Sequence, residues 1–216
     1  TPRIASVLSN NNKEKVEEYL AKSINFVFFL GIPLTLGVMS VAKTLVPWFL
    51  GEEFSLSVSI LMTGSLLIIA KGFTDVAGVQ YLIPSRNQAI FTKSVVTGAI
   101  LNVVLNFILI PICGAIGAII ASVIAEVAIA IVQYYYVKKQ INIQIFTKAY
   151  LKYIVSGVLM FLTVYVMGIF MEPTIITTIL QICVGGIIYI GSLLIMKDKF
   201  LCERLDKILR TLKIKK

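Results

Sequence analysis

A chain of 216 residues could hold one or two soluble domains, but 58% hydrophobic residues against 14% charged, with a mean hydropathy of +0.92, is the composition of a bilayer protein. The net charge of +9 sits in loops without interleaved stacking aromatics, which argues against nucleic acid and for the anionic inner leaflet as the basic residues' partner. There is no histidine, and Cys113, Cys183 and Cys202 form neither a disulfide framework nor a metal-ligand pattern, so no metal or cofactor is expected.

The chain opens at Thr1 without an initiator Met and without a basic n-region leading into a short apolar run and cleavage site, the pattern expected of a segment of a larger protein. Residues 1–23 read as a cytoplasmic loop in which Val16, Tyr19 and Leu20 make a short apolar stripe, suited to a small interfacial helix. Six apolar runs follow, each near the ~20 residues that cross roughly 30 Å of hydrocarbon. They are Ile24–Ala42, Val58–Ile83, Ser94–Ile112, Ala115–Val137, Tyr153–Met171 and Ile175–Met196. Each run is continuously apolar instead of alternating, so helices are expected and barrel strands are not. The fold class is therefore all-α, a polytopic membrane protein with residues 24–196 forming a six-helix unit.

The first span contains Pro33, which removes a backbone donor and predicts a kink. The second carries Lys71 and Asp75 at i, i+4, with Gly64 and Gly78 on the same stripe. Lys71 lies ~20 Å of helical rise from Val58, and Glu126, on the fourth span, lies ~16 Å from Ala115, so both belong near mid-membrane. A charge there costs about 2.5–3.5 kcal/mol on insertion scales, so Lys71 requires a carboxylate or water. Two readings follow: a Lys71–Asp75 or Lys71–Glu126 pair that only pins helices, or a polar cavity that handles a charged cargo or couples to an ion. On the third span Asn102 and Asn106 share a face at i, i+4, as interhelical glue or as cavity lining. Gly114, Ala118, Ser122 and Ala130 give the fourth a small-residue packing face.

Residues 197–216 form a basic tail in which Leu201, Leu205, Ile208, Leu209 and Leu212 recur at helical spacing, predicting an amphipathic helix on the inner membrane surface. Eighteen of the twenty lysines and arginines fall in the termini and alternate loops on one side, whereas Lys43 alone falls on the other and Lys71 within a span. The positive-inside rule places both ends of the chain in the cytoplasm.

The run Leu101-Asn102-Val103-Val104-Leu105-Asn106-Phe107-Ile108-Leu109-Ile110-Pro111, followed by Gly114, Gly117-Ala118, Ala121-Ser122 and Glu126, resembles the helix hairpin of bacterial polysaccharide repeat-unit flippases (Wzx-like). These belong to the multidrug/oligosaccharidyl-lipid/polysaccharide exporter superfamily. Thr1-Pro2-Arg3 leading to a helix with Ile32-Pro33, and Leu50-Gly51-Glu52-Glu53-Phe54 in the next outer loop, extend the resemblance over essentially the whole chain.

The resemblance implies 12 or 14 helices in two six-helix lobes around a central cavity, with this chain as the carboxy-terminal portion and an amino-terminal lobe outside it. It implies transport of an undecaprenyl-pyrophosphate-linked oligosaccharide across the bacterial cytoplasmic membrane by alternating access, beside a polysaccharide polymerase and glycosyltransferases. Local charge then assigns Lys71, Asn102 and Asn106 as substrate or cavity candidates and Asp75 and Glu126 as candidates for coupling to a proton or sodium ion, with no catalytic residue. Within the same superfamily the alternatives are a cation-coupled multidrug exporter and a peptidoglycan-precursor flippase. A non-transporting scaffold of the polysaccharide assembly machinery is the alternative of another class, in which apolar residues could replace the buried charges without loss of export. A membrane enzyme is disfavoured, since the only outer acids, Glu52, Glu53 and Glu172, have no histidine or other partner set.

Overall fold

The computed structural model describes residues 13–141 and 148–204, and their regular secondary structure is entirely helical. Helix α1 (Lys13–Leu50) stays helical through Pro33 and Pro47. It stops where Gly51, at φ 103°, takes up a conformation that L side chains rarely adopt and donates its N–H to the Pro47 carbonyl at 3.0 Å. A 3-10 turn, Glu52–Phe54, leads to α2 (Ser55–Gly64) and, past a break at Ser65, to α3 (Leu66–Thr74). Asp75–Leu82 continues as a π segment, its wider turns visible where Ile83 donates to the Gly78 carbonyl five residues back at 3.1 Å.

Helix α4 (Gln88–Gln140) is 53 residues long, but at Gly114, φ 57° and ψ −134°, the backbone leaves the helix and doubles back. Residues 88–113 and 115–140 form antiparallel arms, tied by Asn102 to Ser122 at 3.3 Å and by Gln133 to Ser94 at 3.1 Å. A Cβ on Gly98 would sit 2.3 Å from Ile129, and one on Gly117 would sit 2.2 Å from the Leu109 carbonyl, so glycine sets how closely the arms approach.

Helices α5 (Lys148–Phe170) and α6 (Ile175–Ile195) follow, with the Thr174 hydroxyl capping α6 by accepting the Thr177 N–H at 3.2 Å. Past Lys197 (φ 50°), Asp198 accepts the Leu201 N–H at 3.0 Å and caps the helical residues 199–204. Leu201 is buried. The rest of the expected tail stripe, Leu205, Ile208, Leu209 and Leu212, lies outside the described residues.

Among the described residues five helical stretches, Glu52–Leu82 counted as one, are long and apolar enough to cross a membrane. Because α4 is folded at Gly114, they supply six crossing segments, the order read from hydropathy. The chain is a multi-pass membrane protein. Helix α1 is central, packed on one side by α5 and α6 and on the other by α2 and α3, with the α4 hairpin laid against α2, α3 and the π segment. Outside, Phe107 is 80% exposed, Phe170 83% and Ile195 84%, a surface that hydrocarbon solvates and water does not.

Candidate functional site

The only charged pair within the described spans joins α3 to the second arm of α4. Lys71 Nζ lies 3.0 Å from Glu126 Oε2, and the Thr74 hydroxyl donates to the other carboxylate oxygen, Oε1, at 2.6 Å. Lys71 and Thr74 meet one carboxylate because i, i+3 positions share a helical face. Glu126 is 8% exposed, with both oxygens occupied, whereas the Lys71 side chain is 65% exposed. An ammonium carries three donors and Glu126 takes one. Lys71 is thus anchored to the bundle and still presents hydrogen-bond capacity, with a positive charge, on the outer surface of this six-helix unit.

Of the two pairings open to Lys71, the one with Glu126 is formed and the one with Asp75 is not. Asp75 is exposed and its carboxylate makes no hydrogen bond or ion pair among the described residues. Asp75 keeps the i+4 register, its backbone N–H bonding the Lys71 carbonyl at φ −63°, ψ −43°, so the choice is made between helices: Lys71 reaches across to Glu126 and leaves the Asp75 carboxylate on the surface. Gly64 and Gly78 do face α4, against Ile119 and against Phe91 and Gln133 respectively.

Asn102 and Asn106 are not brought to Lys71. Asn102 Nδ2 donates to Ser122 across the hairpin, and Asn106 Nδ2 donates to Asn102 Oδ1 at 2.9 Å within the same arm, holding that amide in place. Ser122 is one turn from Glu126, so the asparagines continue the polar line from Glu126 toward the Gly114 fold. In the other direction lie Gln133, fully buried and bonded to Ser94, and then Gln140, which accepts from Tyr81 at 2.9 Å and Asn87 at 3.1 Å. Asn106 Oδ1 and Gln133 Oε1 are buried without a protein donor.

Thr74, Ser94 and Gln133 are absent from the sequence-derived candidates. The signals for them were present: Thr74 follows Lys71 by three residues and Gln133 follows Glu126 by seven, each on the same helical face. A second polar cluster, also unanticipated, lies between α1, α5 and α6. There Thr44 donates to Gln181 at 2.5 Å, Gln181 to the Val164 carbonyl at 3.0 Å, and Trp48 to Thr178 at 2.9 Å. These groups are neutral and their polar atoms are paired. Among the described residues no group of three His, Cys, Asp or Glu side chains comes close enough to hold a metal ion.

Similar proteins give this arrangement a context. The family profile of the lipid II flippase MurJ matches residues 1–185. A Haloferax volcanii protein named "Probable low-salt glycan biosynthesis flippase Agl15" is 24% identical over 148 residues, covering 66% of this chain and 30% of that protein. A Shigella dysenteriae protein named "Putative O-antigen transporter" is 26% identical over 130 residues, 60% of this chain and 32% of that one. Among solved structures, a lipid II flippase MurJ in an inward closed conformation superposes with a TM-score of 0.77 at 18% identity, over 92% of this chain and 43% of the other. The chain thus spans under a third of the curated relatives it matches. With a family profile matched over most of its length, on an all-helical fold of the same kind, the chain belongs to the MurJ flippase family.

Proposed function

We propose that this chain is one lobe of a flippase that carries an undecaprenyl-pyrophosphate-linked oligosaccharide repeat unit across the cytoplasmic membrane, both chain ends cytoplasmic, for capsule, O-antigen or other exopolysaccharide synthesis. The observation that carries the reading is Lys71, a mid-membrane cation held at 3.0 Å by a buried carboxylate yet 65% exposed on its side chain. Water does not reach hydrocarbon depth unless protein lines a cavity, so an exposed ammonium there calls for a facing wall and a polar filling. An amino-terminal lobe supplies the wall in this reading, and the anionic pyrophosphate or acidic sugars supply the filling. Lys71 attracts the anion by a charge-assisted hydrogen bond, Glu126 holds Lys71 when the cavity is empty, and protonation of Glu126 or binding of an ion at Asp75 resets the pair. The basic tail beyond Arg204 anchors the lobe on anionic lipid, and a polymerase and glycosyltransferases act beside it on the same glycan.

The matched family profile favours a second reading within the same chemistry, a lipid-linked peptidoglycan precursor as cargo. The two curated relatives, named for glycan biosynthesis and O-antigen transport, support the first. Export assays of the full-length protein test the shared mechanism. Lys71→Ala is expected to cut export by about ten- to a hundredfold, the worth of a hydrogen bond to a charged group, at near-normal membrane abundance, with Lys71→Arg retaining part of it. Full export with Lys71→Ala and Glu126→Gln at wild-type abundance would refute the mechanism and favour the scaffold. Cargo is decided by which lipid-linked intermediate, repeat unit or peptidoglycan precursor, accumulates in the inner leaflet on depletion.

A further inference from the structure

Pro33 leaves a specific gap in α1. A proline has no N–H to give the carbonyl four residues back, so the Phe29 carbonyl, deep in the bundle, loses its intrahelical donor. The donor comes from another helix: the Tyr189 hydroxyl of α6, 4% exposed, donates to the Phe29 carbonyl at 2.8 Å. Two residues beyond Pro33, on the opposite neighbour, Thr35 makes the complementary contact. Its buried hydroxyl donates at 3.2 Å to the carbonyl of Ser65, the residue at which α2 and α3 part. One carbonyl of α1 therefore lacks a ladder donor and takes a hydroxyl from α6, and close by a hydroxyl of α1 bonds a carbonyl at the α2–α3 junction, where the backbone stays helical at φ −60°, ψ −25°.

The surroundings are closely packed. Ile32 lies against Gly157 of α5, Gly31 against Ile69 of α3, and Gly37 and Gly185 both against Met160. Glycine at these contacts brings the neighbouring helices close around the proline with few side chains to interlock.

We propose that Pro33 is a hinge at the centre of the lobe and that Tyr189 is its latch, a positioning residue that holds the cytoplasmic half of α1 against α6 in one of two conformations. A hydroxyl-to-carbonyl bond is suited to this. It is made or broken without disturbing any bond of the helix ladder, and in membranes such bonds are worth about 0.6 kcal/mol on average and up to about 1.7. That is enough to bias a two-state equilibrium and too little to lock it.

The test is a double-mutant cycle on conformation in the full-length protein. With Cys113, Cys183 and Cys202 replaced, spin labels are placed at Glu14, on the cytoplasmic end of α1, and at Arg86, in the turn before α4, and the distance distribution is measured. Tyr189→Phe keeps the ring and deletes the donor. It is expected to shift the ratio of the two distance populations by about three- to tenfold, the range set by such bonds. Pro33→Ala restores a backbone N–H for the Phe29 carbonyl, so in that background Tyr189→Phe is expected to shift the ratio less than about 1.5-fold. Equal shifts in both backgrounds, or a single unshifted population in each, would overturn the latch. The readout needs no cargo, so it stands apart from any failure of the transport reading.

Discussion

The two sides of α1 use polar residues in opposite ways. Toward α5 and α6 the buried groups within the spans are neutral and paired, Thr44 with Gln181, Gln181 with the Val164 carbonyl, Trp48 with Thr178, Tyr189 with Phe29, and the buried carboxylate of Asp198 beyond α6 accepts from Tyr153 and the Leu201 N–H. Toward α4 lie an ion pair with one exposed member, two buried amide oxygens without a protein donor, a helix break at Ser65 and a π segment at Asp75–Leu82. Regular helices with closed hydrogen bonds make a supporting wall. Irregular helices with open polar capacity are where a membrane protein stores its working parts, because such features persist only when the surroundings hold them. The comparison assigns α5 and α6 to support and α3, the π segment and α4 to function.

The sharpest way to break that assignment is to remove the carboxylate alone. Glu126→Leu leaves Lys71 unpaired at the helix centre, a cost of about 2.5–3.5 kcal/mol, and membrane abundance and export should both fall steeply. Changing Lys71 and Glu126 to Leu together is expected to recover abundance but not export. If the double variant exports normally, the charged side is structural and the two sides do not differ in kind.

Next in size is the fold of α4 itself. Gly114→Ala puts a Cβ on a residue at φ 57°, ψ −134°, and should cost about 1–3 kcal/mol. A lower melting temperature of the detergent-purified protein, with export per molecule unchanged, is the expected result.

Smaller again is the wall. Thr44→Val with Gln181→Leu removes both partners of a neutral bond, so abundance and export should change less than about twofold, in keeping with the ~0.6 kcal/mol average for such bonds. A tenfold loss of export at normal abundance would move the functional boundary across α1.

The smallest effect belongs to the exposed pair at the start of α1. Lys22 donates to Glu18 and holds its carboxyl below the ordinary value of 4.5. A depressed carboxylate contributes stability above its unfolded value, and the contribution fades as the pH falls through the lowered one. On a fully exposed helix face this is slight, so Glu18→Gln should leave the melting temperature at pH 7 unchanged.

How much of this was legible in the sequence differs between the same two sides. The six crossing segments follow from continuous apolar runs, because burying backbone in hydrocarbon leaves helices as the only choice for such runs, whereas Gly114, read as part of a packing face, proves to be the residue at which the chain returns. The requirement that Lys71 find a counter-charge was also readable. Which carboxylate it finds was not. Asp75 sits at the better local spacing and keeps it, and only the packing of α3 against the second arm of α4, which no residue pattern announces, offers Lys71 the buried Glu126 instead. The Thr44–Gln181 pair, 137 residues apart, escaped for a different reason: single polar residues in apolar runs acquire meaning only when tertiary packing brings two together.

The fold at Gly114 has one more consequence. Among the six crossing segments, the two arms of α4 are joined by no loop at all, since one residue turns the chain and Gly117 already touches Leu109. Loops normally absorb epitope tags, proteolytic nicks and evolutionary insertions because they separate the elements they join. This elbow separates nothing. An added residue has nowhere to go except between the arms, and a push on one arm is a push on the other, so the hairpin travels as a single lever from its closed tip to the Gln140 end.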